Sequence, residues 1–157
     1  MTTSIKQTPQ ALNLDHFFPY QLSQLNAIVS DAIAQLYKGR YQLAPFEWRV
    51  LAVLGEHKKL AAKEIGQRTH LEKMQVSRAV AGLKTAGLVT QETDSEDRRI
   101  TRLQLSPAGR DLYQQIVPLV LAREAFLLSS LSDEEQQLMR KLMAKIAEQA
   151  QQLNDLG

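Results

Sequence analysis

The residues best suited to chemistry in this sequence are arginine and amide side chains in its middle third. Gln75 and Arg78 lie three residues apart in a segment with helical periodicity, and Arg98, Arg99 and Arg102 follow in a polar stretch. Guanidinium and amide groups donate hydrogen bonds to base edges and phosphates, and an α-helix fits the major groove of duplex DNA. This pattern favours a nucleic-acid interface over an acid–base or nucleophilic catalytic site.

Positive charge is concentrated in the same segment, although the 157-residue chain carries a formal net charge of only +2. Residues 57–110 hold eleven Lys and Arg against six Asp and Glu, a net charge of +5, whereas residues 1–56 are neutral and residues 111–157 carry −3. A basic centre between neutral and acidic flanks is typical of a unit that meets a polyanion. Charge alone equally allows a chance fluctuation on a solvated surface.

Composition argues against several other classes of protein. The chain has no Cys, which excludes disulfides, thiolate zinc sites and cysteine-based oxidation sensing. His16, His57 and His70 lack metal-ligand spacing, and there is no phosphate loop or nucleophile motif, so we predict neither an enzyme nor a cofactor. No apolar run approaches the roughly 18 residues that cross a bilayer, and the first residues lack a secretory hydrophobic region. We therefore expect a cytoplasmic protein without a membrane partner.

The elements that must position the arginines follow from periodicity and from helix-boundary residues. Apolar periodicity begins at Leu14, but Pro19 is tolerated only in a first turn, so the regular first helix is expected to begin close to Pro19 and to end at Gly39. The predicted order continues with helices over 45–55, 60–68 and 72–86, strands over 88–92 and 99–105, and helices over 107–128 and 132–153. Helical steps put Val76, Ala79 and Leu83 on one face of the fourth helix and leave Gln75, Arg78 and Gly82 on the other. Two short helices followed by a hairpin predict a helix-turn-helix with a wing.

Glycine, proline and capping residues mark the ends of the longer helices. Gly39 and Gly55 are expected to end the first and second helices. Pro118 is expected to kink or split the fifth. Ser132 and Glu135 form a capping box that opens the last helix.

The winged segment carries the motifs of a known family. They are Val76-Ser77-Arg78 with Leu83, Gly87-Leu88-Val89, Asp97-Arg98-Arg99 and Leu103-Gln104-Leu105-Ser106-Pro107-Ala108-Gly109. In this order and spacing, residues 60–109 resemble the MarR family of winged-helix transcriptional regulators, and the flanking helices extend the likeness to about 14–153. The resemblance implies a mainly α fold with a small β-hairpin wing, flanked by N- and C-terminal dimerisation helices. It also implies a sequence-specific DNA-binding regulator, most commonly a repressor.

Specific roles on duplex DNA follow for the polar residues of this unit. Gln75 and Arg78 are expected to reach base edges or phosphates, and Ser77 to donate to a phosphate. The resemblance implies that Arg99 enters a minor groove, with its guanidinium held by the carboxylate of Asp97. The expected phosphate contacts are Lys73, Lys84, Arg98 and Arg102. The alternatives are that Asp97 only shapes the turn and that the arginines are simply solvated.

The helices outside the winged unit predict a homodimer. The expected segments are a flexible arm over 1–13, N-terminal helices over 14–56 that dimerise and line a ligand pocket, a DNA-binding unit over 57–109, and dimerisation helices over 110–157. Their apolar stripes exceed what one small domain buries, and pairing across a twofold axis places two reading helices roughly 34 Å apart on a palindromic operator. An intramolecular helical bundle is the alternative.

The resemblance also implies a small-molecule pocket between the dimer helices and the winged unit. The candidate lining residues are His16, Phe17, Tyr20, Trp48 and Arg49. An aromatic wall with one guanidinium suits a small aromatic carboxylate or phenolic effector, with Arg49 pairing with the carboxylate. The alternatives are that the aromatic residues belong to the core and that Arg49 pairs with Glu47 or another acid. At the level of function, the competing hypothesis is a protein-interaction adaptor that uses its winged helix without binding DNA.

Overall fold

The computed structural model of the protein describes residues 11–156, so the predicted flexible arm over 1–13 lies mostly outside the described residues. The elements are a 3₁₀ turn Leu14–His16, helices α1 Phe18–Gly39 and α2 Pro45–Glu56, strand β1 Leu60–Ala61, helices α3 Ala62–Thr69 and α4 Lys73–Thr85, strands β2 Val89–Thr93 and β3 Thr101–Leu105, and helices α5 Pro107–Leu128 and α6 Asp133–Leu156. The fold is mainly helical with a small antiparallel sheet, which confirms the predicted fold class.

Local sequence signals explain where most helices begin. Helices α1, α2 and α5 each carry a proline in the first turn, where no intrahelical partner for the missing N–H is needed. The predicted capping box of α6 is present, because Ser132 N–H donates to Glu135 Oε2 at 2.8 Å and Glu135 N–H donates to Ser132 Oγ at 3.2 Å. Gly39 is the last residue of α1, as predicted.

The sheet contains one strand more than the predicted hairpin. Strands β2 and β3 pair as expected, with Val89 opposite Leu105. The two-residue β1 adds to the other edge of β3, where Leu60 lies opposite Leu103. Two residues are too few to show an alternating pattern, so the predicted helix over 60–68 includes Leu60 and Ala61, whereas α3 begins at Ala62. The added strand joins the start of α3 to the wing.

One hydrophobic core connects the winged unit to the helices on either side of it. Helix α2 lies at its centre and contacts α1, α3, α4 and α5. The largest fully buried side chains are Leu51, Leu54, Ile65, Leu83, Ile116, Val50 and Val76. Because these residues come from α2, α3, α4 and α5, a shift of α2 changes the packing beneath both helices of the helix-turn-helix.

The predicted end of α2 at Gly55 is one residue early, because the helix ends at Glu56. A Cβ atom at Gly55 would stand 2.3 Å from Cε2 of Tyr113, so the glycine allows α5 to approach. Of the two outcomes expected at Pro118, a kink or a split, the split does not occur, because α5 runs continuously from Pro107 to Leu128.

The outer helices leave apolar side chains uncovered. Among the described residues, none in α6 is buried. The exposed apolar residues of α1 and α6 are Phe18, Leu22, Leu25, Ile28, Val29, Leu138, Leu142, Met143, Ile146, Leu153 and Leu156. A single chain therefore does not bury these stripes in an intramolecular bundle.

Within residues 11–156 no single helix has the length and apolar character needed to cross a membrane. Helices α5 and α6 meet that criterion only as a pair, bent by 101° at their junction.

Candidate nucleic-acid interface

Helix α4 presents one face to solvent because its other face is locked into the core. Val76, Ala79 and Leu83 are buried and pack beneath the helix. The exposed residues on the outer side include Lys73, Met74, Ser77, Arg78 and Ala81. A helix held from behind with polar and small side chains in front has the form that enters a major groove.

The side chain of Gln75, one of the predicted DNA contacts, also caps the first turn of α4. Glu72 N–H donates to Gln75 Oε1 at 2.9 Å, so the carbonyl of the Gln75 side chain caps the helix. The amide nitrogen of Gln75 then remains as the group that can donate toward a base. Gln75 therefore has a structural role as well as the predicted recognition role.

The prediction that Gly82 lies on the outer face of α4 is wrong. A Cβ atom at Gly82 would stand 2.1 Å from Oε1 of Glu47 in α2, so this glycine faces inward. Glu47 is itself held at the start of α2, where its other carboxylate oxygen accepts the N–H of Ala44 at 2.9 Å. The absence of a side chain at Gly82 therefore allows α2 and α4 to pack closely.

Two aspartates shape the tip of the wing. Asp94 Oδ1 accepts the N–H groups of Glu96 at 2.9 Å and Asp97 at 3.0 Å. Asp97 Oδ1 accepts the backbone N–H of Arg99 at 2.9 Å. The predicted bond from Asp97 to the Arg99 guanidinium is therefore corrected to a backbone bond, and Asp97 acts as a turn residue.

The wing arginines differ in what they contact. Arg98 and Arg99 are exposed at the turn, and neither forms an ion pair with any residue in the described part of the chain. Arg102 donates from Nε to Asp94 Oδ2 at 2.7 Å and from Nη1 to Glu64 Oε2 at 2.8 Å. Arg102 thus forms two internal ion pairs in the single chain, and its predicted phosphate contact stays a prediction.

The two lysines assigned to phosphates differ in the same way. Lys73 is exposed at the start of α4. Lys84, in the last turn, donates from Nζ to Gln91 Oε1 at 2.7 Å and so braces α4 against β2 while remaining exposed.

A cleft of about 520 Å³ opens between α2, α3 and α5. Its lining residues are Trp48, Arg49, Ala52, Val53, Glu56, Arg68, Thr69, Tyr113, Val117, Val120 and Leu121. Of the predicted ligand residues it brings together Trp48 and Arg49. His16, Phe17 and Tyr20 do not line it, because they lie exposed on the 3₁₀ turn and the start of α1.

The aromatic wall of the cleft is partly a core element. The ring of Trp48 stacks on Tyr37, with centroids 5.8 Å apart and planes at 21°. Burial raises the pKa of the Tyr37 hydroxyl, and the charge of Arg49 opposes that shift. Arg49 makes no ion pair with a residue in 11–156, so the suggested Arg49–Glu47 pair is absent there.

Sequence reasoning missed a second guanidinium in this cleft. Arg68, near the end of α3, lines it, with Nη1 3.1 Å from Nε2 of His57. No local pattern identifies Arg68, because only the packing of α3 against α2 brings it beside Arg49. The described residues hold no group of three or more His, Asp or Glu suited to a metal ion.

Comparisons with known proteins agree with this arrangement. Residues 41–100 match the model of the MarR family. The regulator FarR of Neisseria gonorrhoeae is 27% identical over 108 residues, covering 69% of this chain and 74% of that protein. The transcriptional repressor MdtR of Bacillus subtilis is 28% identical over 109 residues, covering 69% and 70%. These relatives are named as transcriptional regulators.

A solved structure of similar architecture covers nearly the whole described chain. It is the crystal structure of a probable transcriptional regulator from Pseudomonas aeruginosa, with 28% sequence identity and a TM-score of 0.77. The alignment covers 85% of this chain and 99% of that one. The similarity therefore includes the outer helices as well as the winged unit.

Proposed function

We propose that the chain is a winged-helix regulator of the MarR family and acts as a homodimeric repressor of a pseudo-palindromic operator, released from DNA by a small aromatic acid. The observation that carries the DNA-binding part is that Arg78 on α4 and Arg98 and Arg99 on the wing are all exposed. Exposed cations on a helix and on the hairpin that follows it suit a major groove and a neighbouring minor groove.

The dimer follows from what the single chain leaves exposed. Apolar side chains on α1 and α6 are roughly half exposed, including Leu25 at 59% and Leu142 at 47%. Large contiguous apolar patches on a folded protein mark association surfaces. An isologous contact through these helices joins two winged units by a twofold axis and explains a palindromic operator.

The effector part rests on the cleft. A volume of about 520 Å³ suits a small molecule, and Trp48 with Tyr113 provides aromatic surface. The guanidiniums of Arg49 and Arg68 are the groups that pair with a carboxylate.

The position of Arg68 suggests how an effector acts on DNA binding. Arg68 belongs to α3, and its guanidinium contacts His57 at the end of α2. A carboxylate that draws Arg68 away from His57 changes the packing of α3 on α2. Because α3 packs directly on α4, the recognition helix α4 moves with it.

Footprinting on the DNA upstream of the protein's own gene tests the proposal. We expect a protected region with twofold symmetry, and a panel of benzoic and hydroxybenzoic acids should include at least one compound that abolishes the protection. Absence of any protected duplex, together with stable binding to a protein partner, would instead support the adaptor hypothesis.

A further inference from the structure

We propose that Arg102 is a positioning residue that fastens the wing to the first helix of the helix-turn-helix, so that Arg98 and Arg99 are held in place before DNA arrives. The proposal rests on the DNA-binding function proposed above. It gives Arg102 a part in recognition without any contact to DNA.

Arg102 joins two elements that are far apart in sequence. Its Nε donates to Asp94 in the turn of the wing at 2.7 Å, and its Nη1 donates to Glu64 in the first turn of α3 at 2.8 Å. The side chains of Arg102 and Asp94 are only 31% and 16% exposed. Glu64 and Arg102 are 38 residues apart, so the bridge is a tertiary contact.

Each carboxylate in the bridge also organises its own element. Asp94 accepts two backbone N–H groups of the turn through Oδ1, the oxygen that Arg102 does not use. Glu64 Oε2 accepts the N–H of Ala61 at 2.7 Å, at the junction of β1 and α3. Arg102 therefore connects the hydrogen bonds that shape the tip of the wing to those that begin α3.

The backbone hydrogen bonds of the wing tip are local to the turn, with Asp94 N–H donating to Ile100 O at 2.8 Å and Ile100 N–H donating to Asp97 O at 2.9 Å. The last strand pair is Thr93 with Thr101, and the residues beyond it are exposed except for the partly buried Asp94 and Ile100. Hydrogen bonds between charged groups are stronger than neutral ones, and those to Arg102 help to hold the pKa of Asp94 at about 2. The bridge is therefore intact near neutral pH.

A positioning role and a phosphate contact predict opposite results for Asp94→Asn. Asparagine keeps an oxygen for the turn N–H groups but loses the charge that binds Arg102. If Arg102 bound a phosphate, removing the competing acid would tighten DNA binding. If Arg102 positions the wing, binding weakens even though a negative charge has been removed.

Affinity for the footprinted operator, measured by fluorescence anisotropy, decides between these results. We expect Asp94→Asn and Glu64→Gln each to raise Kd about tenfold, since each variant removes the charge of a carboxylate that accepts a hydrogen bond from Arg102. The matched control is Glu96→Gln, because Glu96 is an exposed acid of the same turn and forms no ion pair in residues 11–156. An unchanged or lower Kd for Asp94→Asn overturns the proposal.

Two further variants separate positioning from direct contact. Arg102→Lys keeps the positive charge but lacks the fork that reaches two carboxylates, so we expect it to weaken binding nearly as much as Arg102→Gln. In an Arg98→Ala/Arg99→Ala background, Arg102→Gln should cause little further loss, because both groups that it positions are already gone. Full rescue by lysine, or additive losses, would contradict the proposed role.

A measurement without DNA keeps this inference distinct from the proposed function. Hydrogen exchange at the amides of Glu96, Asp97 and Arg99 should accelerate in Asp94→Asn and in Arg102→Gln, while exchange in α2 stays as in the parent. If the parent binds no duplex DNA, the proposed function fails, whereas accelerated exchange at the tip still supports the bridge. Unchanged exchange at the tip shows that Arg102 does not hold the wing.

Discussion

At the scale of single residues, the arginines of the wing divide by what surrounds them. Arg98 and Arg99 lie at a turn whose carboxylates are occupied by backbone N–H groups, so their guanidiniums face solvent. Arg102 lies on β3, where Asp94 and Glu64 flank it. The wing thus has an outer pair available to DNA and an inner arginine that supports it.

Arg99→Ala should weaken operator binding by about 1–3 kcal/mol, because the guanidinium of Arg99 no longer contacts the duplex. The slope of log Kd against log salt concentration should fall by about one unit, because one cation near the phosphates is lost. Anisotropy titrations at several salt concentrations measure both quantities. Arg140→Ala is the control, since Arg140 is exposed on α6 and pairs with Glu124 away from the wing. A salt slope equal to that of the parent would remove Arg99 from the interface.

The pH dependence of the wing should follow Asp94. Its pKa is lowered from 3.8 to about 2, first by the hydrogen bond from Arg102 and then by the turn N–H groups. A carboxyl with a depressed pKa stabilises the fold above its unfolded pKa, and that contribution is lost as pH falls from about 4 to about 2. As pH falls over this range, hydrogen exchange at the wing tip should therefore accelerate relative to the rate of an unprotected amide at the same pH. Asp94→Asn should lack the transition, and its persistence in that variant would assign it to another group.

At the scale of elements, the junction between the wing and α5 depends on a glycine. Ser106 Oγ donates to Gly87 O at 2.6 Å and accepts the N–H of Gly109 at 3.0 Å. A Cβ atom at Gly109 would stand 2.0 Å from the carbonyl oxygen of Leu88. The contacted atom is a backbone carbonyl oxygen, so relieving the contact displaces α5 or the segment that leads into β2.

Gly109→Ala should destabilise the protein by about 1–3 kcal/mol, the usual range for overpacking. Thermal unfolding followed by circular dichroism measures the effect. Gly39→Ala is the control, because a Cβ atom there meets nothing within 4 Å and alanine favours a helix. Equal Tm values for the two variants would contradict the tight junction described here.

Much of this arrangement is encoded locally, and the rest depends on tertiary contacts. Proline in the first turns and the Ser132 capping box predict helix starts, because their causes lie within a few residues. Gly55 and Gly82 look like a helix end and a surface position until their partners in α5 and α2 are known. Arg102 and Arg99 belong to the same arginine-rich stretch, and only the position of Glu64 distinguishes a structural arginine from an exposed one.

At the scale of the whole molecule, the proposed dimer assigns the oligomeric state to the exposed apolar stripes of the outer helices. Ile146→Glu places a charge in the α6 stripe and should shift the protein toward monomer, since a buried unpaired carboxylate is costly. Sedimentation at micromolar concentration measures the effect. Ala144→Glu adds the same group on the opposite side of α6 and should leave the association state unchanged. A parent protein that sediments as a monomer would exclude the proposed dimer.

Coupling between the cleft and DNA is also a property of the whole molecule. Arg49→Ala should abolish release of the operator by an active benzoic or hydroxybenzoic acid while leaving binding without effector intact. Arg40→Ala is the control, because Arg40 lies over the Tyr41 ring and outside the cleft. Equal effector responses in Arg49→Ala and the parent would reject Arg49 as the carboxylate partner.

In the proposed dimer the winged units of two chains bind one duplex through their cationic side chains. The salt dependence of operator binding tests this most directly. Affinity of the parent for the footprinted duplex should fall steeply with salt, with log K decreasing by about 0.9 per log unit of salt for each phosphate neutralised. The stoichiometry should be two chains per duplex. Affinity that does not change with salt, or one chain bound per duplex, would contradict the account.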